Sequence, residues 1–171
     1  MTARLLGAAL AGGQSRRFGS DKAKALLDGA TLLDRAVAAL RQECGTVVIC
    51  GRQWRALAQL EDRPAGGQGP LAGLNAALRY GLMRQFDAIL CAPIDVHPLA
   101  GALRLLVAGG RCAVLETQWA VGWWPTSLSP ALDRHLDTGE RSISSWLEIA
   151  KPEIVGDRHL ALRNINSPHD F

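Results

Sequence analysis

Apolar and polar positions fall into blocks along this chain, and the period changes from block to block. Leu5–Leu10 is a short apolar run that predicts a first strand. Thr31 to Asp34 has the form of a capping box, with Thr31 as N-cap and Asp34 reaching back. Leu32, Leu33, Ala36, Val37 and Leu40 then make a helical stripe that ends near Gly45. The β-branched run Thr46–Cys50 predicts a second strand. Gln53–Leu60 reads as a weak helix or an extended piece, and Asp62 to Gly69 as a Gly/Pro-rich loop. Pro70 stands where a first helical residue would, ahead of the stripe over Leu71–Leu82. Ala88–Ala92 is wholly apolar, as in a strand buried on both faces. Pro98–Val107 predicts a helix and Arg111–Leu115 a strand. Ser129–Leu136 and Ile143–Ile149 predict short helices, Ile154–Val155 and Arg163–Ile165 late strands, and Ser167-Pro168 a closing helical turn. Glu116 to Pro125, rich in tryptophan, fits no period.

Strands alternating with helices predict one α/β domain over residues 1–171, three-layered and Rossmann-like, with a mostly parallel central sheet. Ligands of such sheets sit at the carboxyl ends of strands. The loops after Leu10, Cys50 and Ala92 are therefore where chemistry is expected. Composition agrees: 48% of the 171 residues are hydrophobic, enough for a full core. A net charge of +3 and a pI near 8.9 are too small an excess to imply nucleic acid, yet suit small polyanions. Four histidines and one tyrosine leave few side chains to act as a base at neutral pH. Cys44, Cys50, Cys91 and Cys112 contain no Cys-x-x-Cys and read as free buried thiols ahead of a zinc site. No run approaches membrane-spanning length and the first residues lack the form of a signal peptide. A cytoplasmic location is expected, with no membrane or nucleic-acid partner.

The stretch from Leu10 to Lys22, LAGGQSRRFGSDK, carries the most chemistry. Paired glycines directly after a strand let main-chain N–H groups approach an anion. Arg16 and Arg17 add forked donors and Lys22 a compact charge. The reading is a loop for several phosphates. It is neither a Gly-x-x-x-x-Gly-Lys-Ser/Thr loop nor a Gly-x-Gly-x-x-Gly turn, so P-loop NTPases and dinucleotide dehydrogenases are not indicated. Asp95, just past the Ala88–Ala92 run, is placed either to hold Mg²⁺ against phosphates or to cap the next helix. His97 reads as a partly exposed loop histidine rather than a base. Trp119, Trp123 and Trp124 form a cluster that either stacks on a flat ligand or makes a hydrophobic flap or dimer contact. Asn164 and Asn166, one residue apart, point to one face of a strand.

The Leu10–Lys22 motif resembles the signature of the nucleotidyltransferases, Leu-Ala-Gly-Gly-x-x-x-Arg-Met-Gly-x-x-Lys, with Phe18 in place of Met. With both arginines present, the chain is most similar to the molybdenum cofactor guanylyltransferases, a family of GT-A-like nucleotidyltransferase fold. Asp62 followed by Gly69-Pro70-Leu71-Ala72-Gly73-Leu74 resembles that family's nucleoside-binding segment. Pro93-Ile94-Asp95-Val96-His97-Pro98 resembles its metal aspartate segment, with Ile94 replacing Cys and Val96-His97 before the proline. Asn164-Ile165-Asn166-Ser167-Pro168 resembles its Asn-x-Asn-Thr-Pro, and Gly139-Glu140-Arg141-Ser142 its Gly-Glu-Arg-Arg. The resemblance implies Mg²⁺-dependent transfer of GMP from GTP to molybdopterin with release of pyrophosphate. Lys22 and Mg²⁺ on Asp95 would offset charge on the α-phosphoryl group, with Arg16 assisting. Leu10, Ala11, Gly12, Gly13, Arg16 and Arg17 would hold the phosphates. Asp62, Gly69, Pro70, Leu71 and Gly73 would hold the nucleoside, and Asn164 and Asn166 the pterin or a metal-bound water. A molybdoenzyme or its chaperone is the implied recipient. The alternatives are a transferase using CTP or a sugar phosphate, and an inert nucleotide-binding sensor or adaptor.

Overall fold

The computed structural model describes residues 2–13, 20–66 and 69–171. In chain order the strands and α-helices are β1 (Leu5–Leu10), β2 (Leu26–Leu27), β3 (Ala30–Thr31), α1 (Leu32–Arg41), β4 (Thr46–Cys50) and β5 (Ala58–Leu60). Then come α2 (Pro70–Met83), β6 (Ala88–Pro93), β7 (Val96–His97), α3 (Ala100–Gly109), β8 (Ala113–Leu115) and β9 (Gly122–Pro125). The last are α4 (Ser129–Asp137), α5 (Ile143–Ala150), β10 (Glu153–Val155) and β11 (Arg163–Asn164). Seven strands form the central sheet in the order β10-β8-β9-β6-β1-β4-β5. Only β9 runs antiparallel to its neighbours.

Side chains alternate across each strand, so each strand feeds two cores. Ala9 and Ile49 pack with α1 and α3 on one face. Leu6, Ala8, Leu10 and Val48 pack with α2, α4 and the buried Trp146 of α5 on the other. The result is the expected three-layer, mostly parallel α/β arrangement. At the centre Leu10 is level with Cys50 of β4 and Pro93 of β6, so three carboxyl ends finish side by side.

Most sequence boundaries hold within two residues. Thr31 caps α1, its Oγ1 accepting from Asp34 N at 3.1 Å. The Asp34 carboxylate is engaged by Trp54 Nε1 and Arg55. The uncertain Gln53–Leu60 piece contains β5 at the sheet edge. The unreadable tryptophan segment contains β9, the antiparallel strand of the central sheet. Trp123 enters the α1/α3 core and Trp124 the α2/α4 core, 7% and 1% exposed. Neither offers a ring for stacking or a flap, which corrects both readings for these two tryptophans. Only Trp119 stays at the surface. His97 is also corrected: it is 5% exposed and lies in β7, paired with Arg163 of β11.

Candidate active site

A cleft of about 370 Å³ opens over the carboxyl ends of β1 and β6. Local packing explains why the chain can be this open there. Gly51, just past β4, has φ +91°, and a Cβ on it would collide with the Gly12 main chain. That contact lets the loops after β1 and β4 lie against each other. Gly73 of α2 likewise lets the helix sit on Leu10 and Cys50, since a Cβ there would be 3.2–3.3 Å from them. The first turn of α2 is thereby drawn to the cleft. Gly69 is its N-cap and Pro70 its first residue, with no side chain bonded across the cap. Main-chain N–H groups and the positive end of a 14-residue helix therefore face the opening.

Lys22 stands across from this helix end, in a 3₁₀ turn over Lys22–Lys24. Its Nζ donates to Asp95 Oδ2 at 2.9 Å and to Asn166 Oδ1 at 3.0 Å. Three residues from three distant segments thus meet at one point. The C-terminal segment reaches it because Ile165 N donates to the Asp95 main-chain oxygen at 2.7 Å and β11 pairs with β7. Asp170 Oδ2 then accepts from Asn166 N and Ser167 N at 2.8 and 2.7 Å, fixing the turn that presents Asn166.

The cleft brings together most of the residues singled out in the sequence. Leu10, Ala11, Gly12, Gly13, Lys22, Gly69, Pro70, Asp95 and Asn164 line it. Asn166 joins through Lys22, and Leu71 and Gly73 lie buried beneath the wall. Asp62 is set apart. Its carboxylate lies behind Gly12 and lines two neighbouring hollows instead of the cleft, and burial raises its pKa. Arg16 and Arg17 lie outside the described residues. His97 does not line the cleft; its Nε2 pairs with Ile94 O at 2.9 Å, and burial lowers its pKa. Arg141 donates to the Leu136 and Glu140 main-chain oxygens.

Three lining or supporting residues were missed in the sequence: Arg52, Asp21 and Gln118. Arg52 Nη1 and Nη2 donate to Asp21 Oδ1 and Oδ2 at 2.6 and 2.7 Å. Gln118 Nε2 donates to Asn164 Oδ1 at 2.6 Å. A signal for Arg52 existed, since it follows β4 directly in a loop expected to matter. Gln118 had none, because it lies in the loop between β8 and β9, within the segment that fits no period.

The cleft can hold a polyanion against main-chain donors, with Lys22 and Asp95 beside them. Residues 7–154 match the MobA-like NTP transferase domain. The chain belongs to this family. It is a nucleotidyltransferase, as curated relatives of nearly full length agree. It is 34% identical over 175 residues to a molybdenum cofactor guanylyltransferase of Acidiphilium cryptum, covering 95% of this chain and 89% of that one. In fold it is similar to the molybdopterin-guanine dinucleotide biosynthesis protein A of Archaeoglobus fulgidus, with a TM-score of 0.74 and 24% identity over 96% and 94% of the two chains. It is also similar to the 2-C-methyl-D-erythritol 4-phosphate cytidylyltransferase of Thermus thermophilus, with a TM-score of 0.69 and 16% identity over 99% and 95%. The fold is thus one that a cytidylyltransferase also has. Among the described residues no helix is long and apolar enough to cross a membrane.

Proposed function

We propose that this protein, as a single domain in the cytoplasm, transfers GMP from GTP to molybdopterin. An oxygen of the pterin's terminal phosphate attacks the α-phosphorus. The bond from that phosphorus to the bridging oxygen breaks, and pyrophosphate leaves with the electron pair. A phosphate monoester is already anionic at neutral pH, so no strong base is needed. The cleft lining, which has no histidine among the described residues, suits such a reaction. The work left to the protein is positioning and charge neutralisation.

The observation that carries this reading is the meeting of Lys22, Asp95 and Asn166 beside the Gly12–Gly13 turn. Gly12, Gly13, Arg16 and Arg17 hold the β- and γ-phosphates. Gly69, Pro70 and the first turn of α2 hold the nucleoside, and Asn164 and Asn166 face the pterin. The oxygens of Asp95, Asn164 and Asn166 are the hard donors Mg²⁺ prefers, and the Lys22 ammonium already sits between Asp95 and Asn166. Among the described residues no three His, Cys, Asp or Glu cluster; Asp95 would hold the ion together with these amide oxygens and oxygens of the nucleotide. Mg²⁺ bound there would neutralise charge on the phosphates. With the ion on Asp95, the Lys22 ammonium would be free to meet the α-phosphoryl oxygens.

Pyrophosphate release with GTP, Mg²⁺ and molybdopterin, paired with calorimetric GTP affinity, tests the reading. Lys22→Ala is expected to lower kcat by about 10²-fold or more, as for loss of one preorganised charge contact, with a much smaller loss of affinity. Asp95→Asn is expected to keep the fold and lose most Mg²⁺-dependent turnover. A wild-type protein that binds GTP yet releases no pyrophosphate with the pterin defeats the proposal.

A further inference from the structure

Asp21 stands one residue before Lys22 and has two tasks. Its Oδ1 accepts from Ala23 N at 3.2 Å, capping the turn that carries Lys22. Both of its carboxylate oxygens are also held by the two terminal nitrogens of Arg52. This pair differs from the surface ion pairs of the molecule. Arg104–Glu43 and Arg111–Glu153 have arginines about 70% exposed, and such pairs contribute little. Arg52 and Asp21 are 27% and 34% exposed and are bidentate, which fixes orientation as well as distance. The Arg52 guanidinium holds the Asp21 carboxyl below its usual pKa, while Asp21 raises that of Arg52. The guanidinium carbon also lies 5.5 Å from the Trp54 ring centre.

The position of Arg52 in the chain gives the pair its meaning. Arg52 follows Gly51, and Gly51 packs on Gly12. Two successive residues after β4 therefore grip the binding segment at both ends: Gly51 at Gly12, where it begins, and Arg52 at Asp21, where it ends. β4 is a buried strand paired on both sides, a rigid mount for such a grip.

We propose that Arg52 is a positioning residue for phosphoryl transfer, acting through Asp21 to aim Lys22. The proposal rests on the reading of Lys22 as the residue that meets the α-phosphate. Without the clamp the capped turn opens more often, and its place relative to Asp95 is no longer fixed. A misplacement of about 1 Å in a catalytic group can cost on the order of 10²-fold in rate.

Arg52→Met keeps the apolar stem and removes the fork. Asp21→Asn keeps the size and the acceptor for Ala23 N but removes the charge. Each variant is expected to lower kcat about tenfold or more, with GTP affinity within about threefold of wild type. The double variant is expected to be no worse than either single one, because both break the same clamp. Arg52→Lys is expected to recover part of kcat, having the charge without the fork. In the free protein, amide exchange at Ala23 and Lys24 is expected to quicken in both single variants. Arg52 also lines the cleft. If it touches the nucleotide directly, Arg52→Met alone loses affinity and the two changes add, which overturns the proposal. Unchanged exchange at Ala23 and Lys24 overturns it too, and that arm reads the clamp even if GTP and molybdopterin prove to be the wrong substrates.

Discussion

At the residue scale, the ion pairs of this protein have different purposes. Under the proposed function Lys22–Asp95 is an exchangeable pair at the reacting end of the cleft, and Arg52–Asp21 a brace. Asp34 represents a third kind. Its carboxylate accepts from Arg55 Nε and Nη2 at 2.9 and 2.6 Å and from Trp54 Nε1 at 2.8 Å. These contacts, Arg55 first, hold its pKa well below the usual carboxylate range. A carboxylate depressed in the fold stabilises it at pH values above its unfolded pKa of 3.8, and that stability is lost as the pH falls through the folded value. Asp34→Asn is therefore expected to melt a few degrees lower than wild type at pH 7. The gap is expected to narrow steadily as the pH drops below about 4. Melting curves from pH 7 to pH 3 decide the matter. A gap that stays constant would show that Asp34 works through shape, not charge. The sequence revealed Asp34 only as a helix-start residue. Its partners Trp54 and Arg55 sit 20 and 21 residues away, beyond any local pattern.

At the element scale, legibility followed burial pattern. β1, β4 and β6 are continuous apolar runs buried on both faces, and α1 and α2 carry long stripes, so each could be read from the sequence. β9 could not. It buries two adjacent tryptophans on opposite faces, and this produces neither a helical stripe nor an alternation of apolar and polar residues. Each ring hides on the order of 200 Å², or about 5 kcal/mol of transfer free energy, so burial outweighs any use as a stacking surface. The site was legible where its residues follow those readable strands. Arg52 escaped notice because a single arginine after a strand has no signature; its importance lies in a partner 31 residues earlier. The loop after β4 gives a direct test. Gly51→Ala places a β-carbon at φ +91° and against the Gly12 main chain. The seven-stranded sheet is expected to survive, by circular dichroism, while GTP affinity falls about tenfold or more as the Gly12–Gly13 turn is pushed aside. Unaltered affinity would show that this contact does not shape the phosphate site.

At the scale of the whole molecule, the sheet order explains why one site gathers residues from nearly the full chain. β1 lies between β4 and β6, so the chain leaves β1 on one side and returns past it on the other. The loops after β1 and β6 are thereby left facing each other across the switch point, where α/β sheets bind ligands. The C-terminal segment crosses over to Asp95 and closes the ring with Asn166. Binding at such a site draws on both halves of the fold, so it stabilises the native state as a whole by mass action. GTP with Mg²⁺ at about a hundred times its Kd should add roughly 2.7 kcal/mol, or about 5–10 °C of melting temperature for a chain of this size. ATP, CTP and UTP are expected to give smaller shifts. The phosphate loop and Lys22 would meet any triphosphate equally, so the difference between nucleotides isolates the base. The wall left to read it is the main chain at Gly69–Pro70 and the first turn of α2, whose N–H and C=O groups can distinguish a purine edge without long side chains. Equal shifts for all four nucleotides would remove guanine selectivity while leaving triphosphate binding intact. A larger shift with CTP would make CTP the nucleotide in place of GTP. Omitting Mg²⁺ should shrink the GTP shift in wild type but not in Asp95→Asn. If both shrink alike, the metal is held by the nucleotide alone and Asp95 serves only to park Lys22.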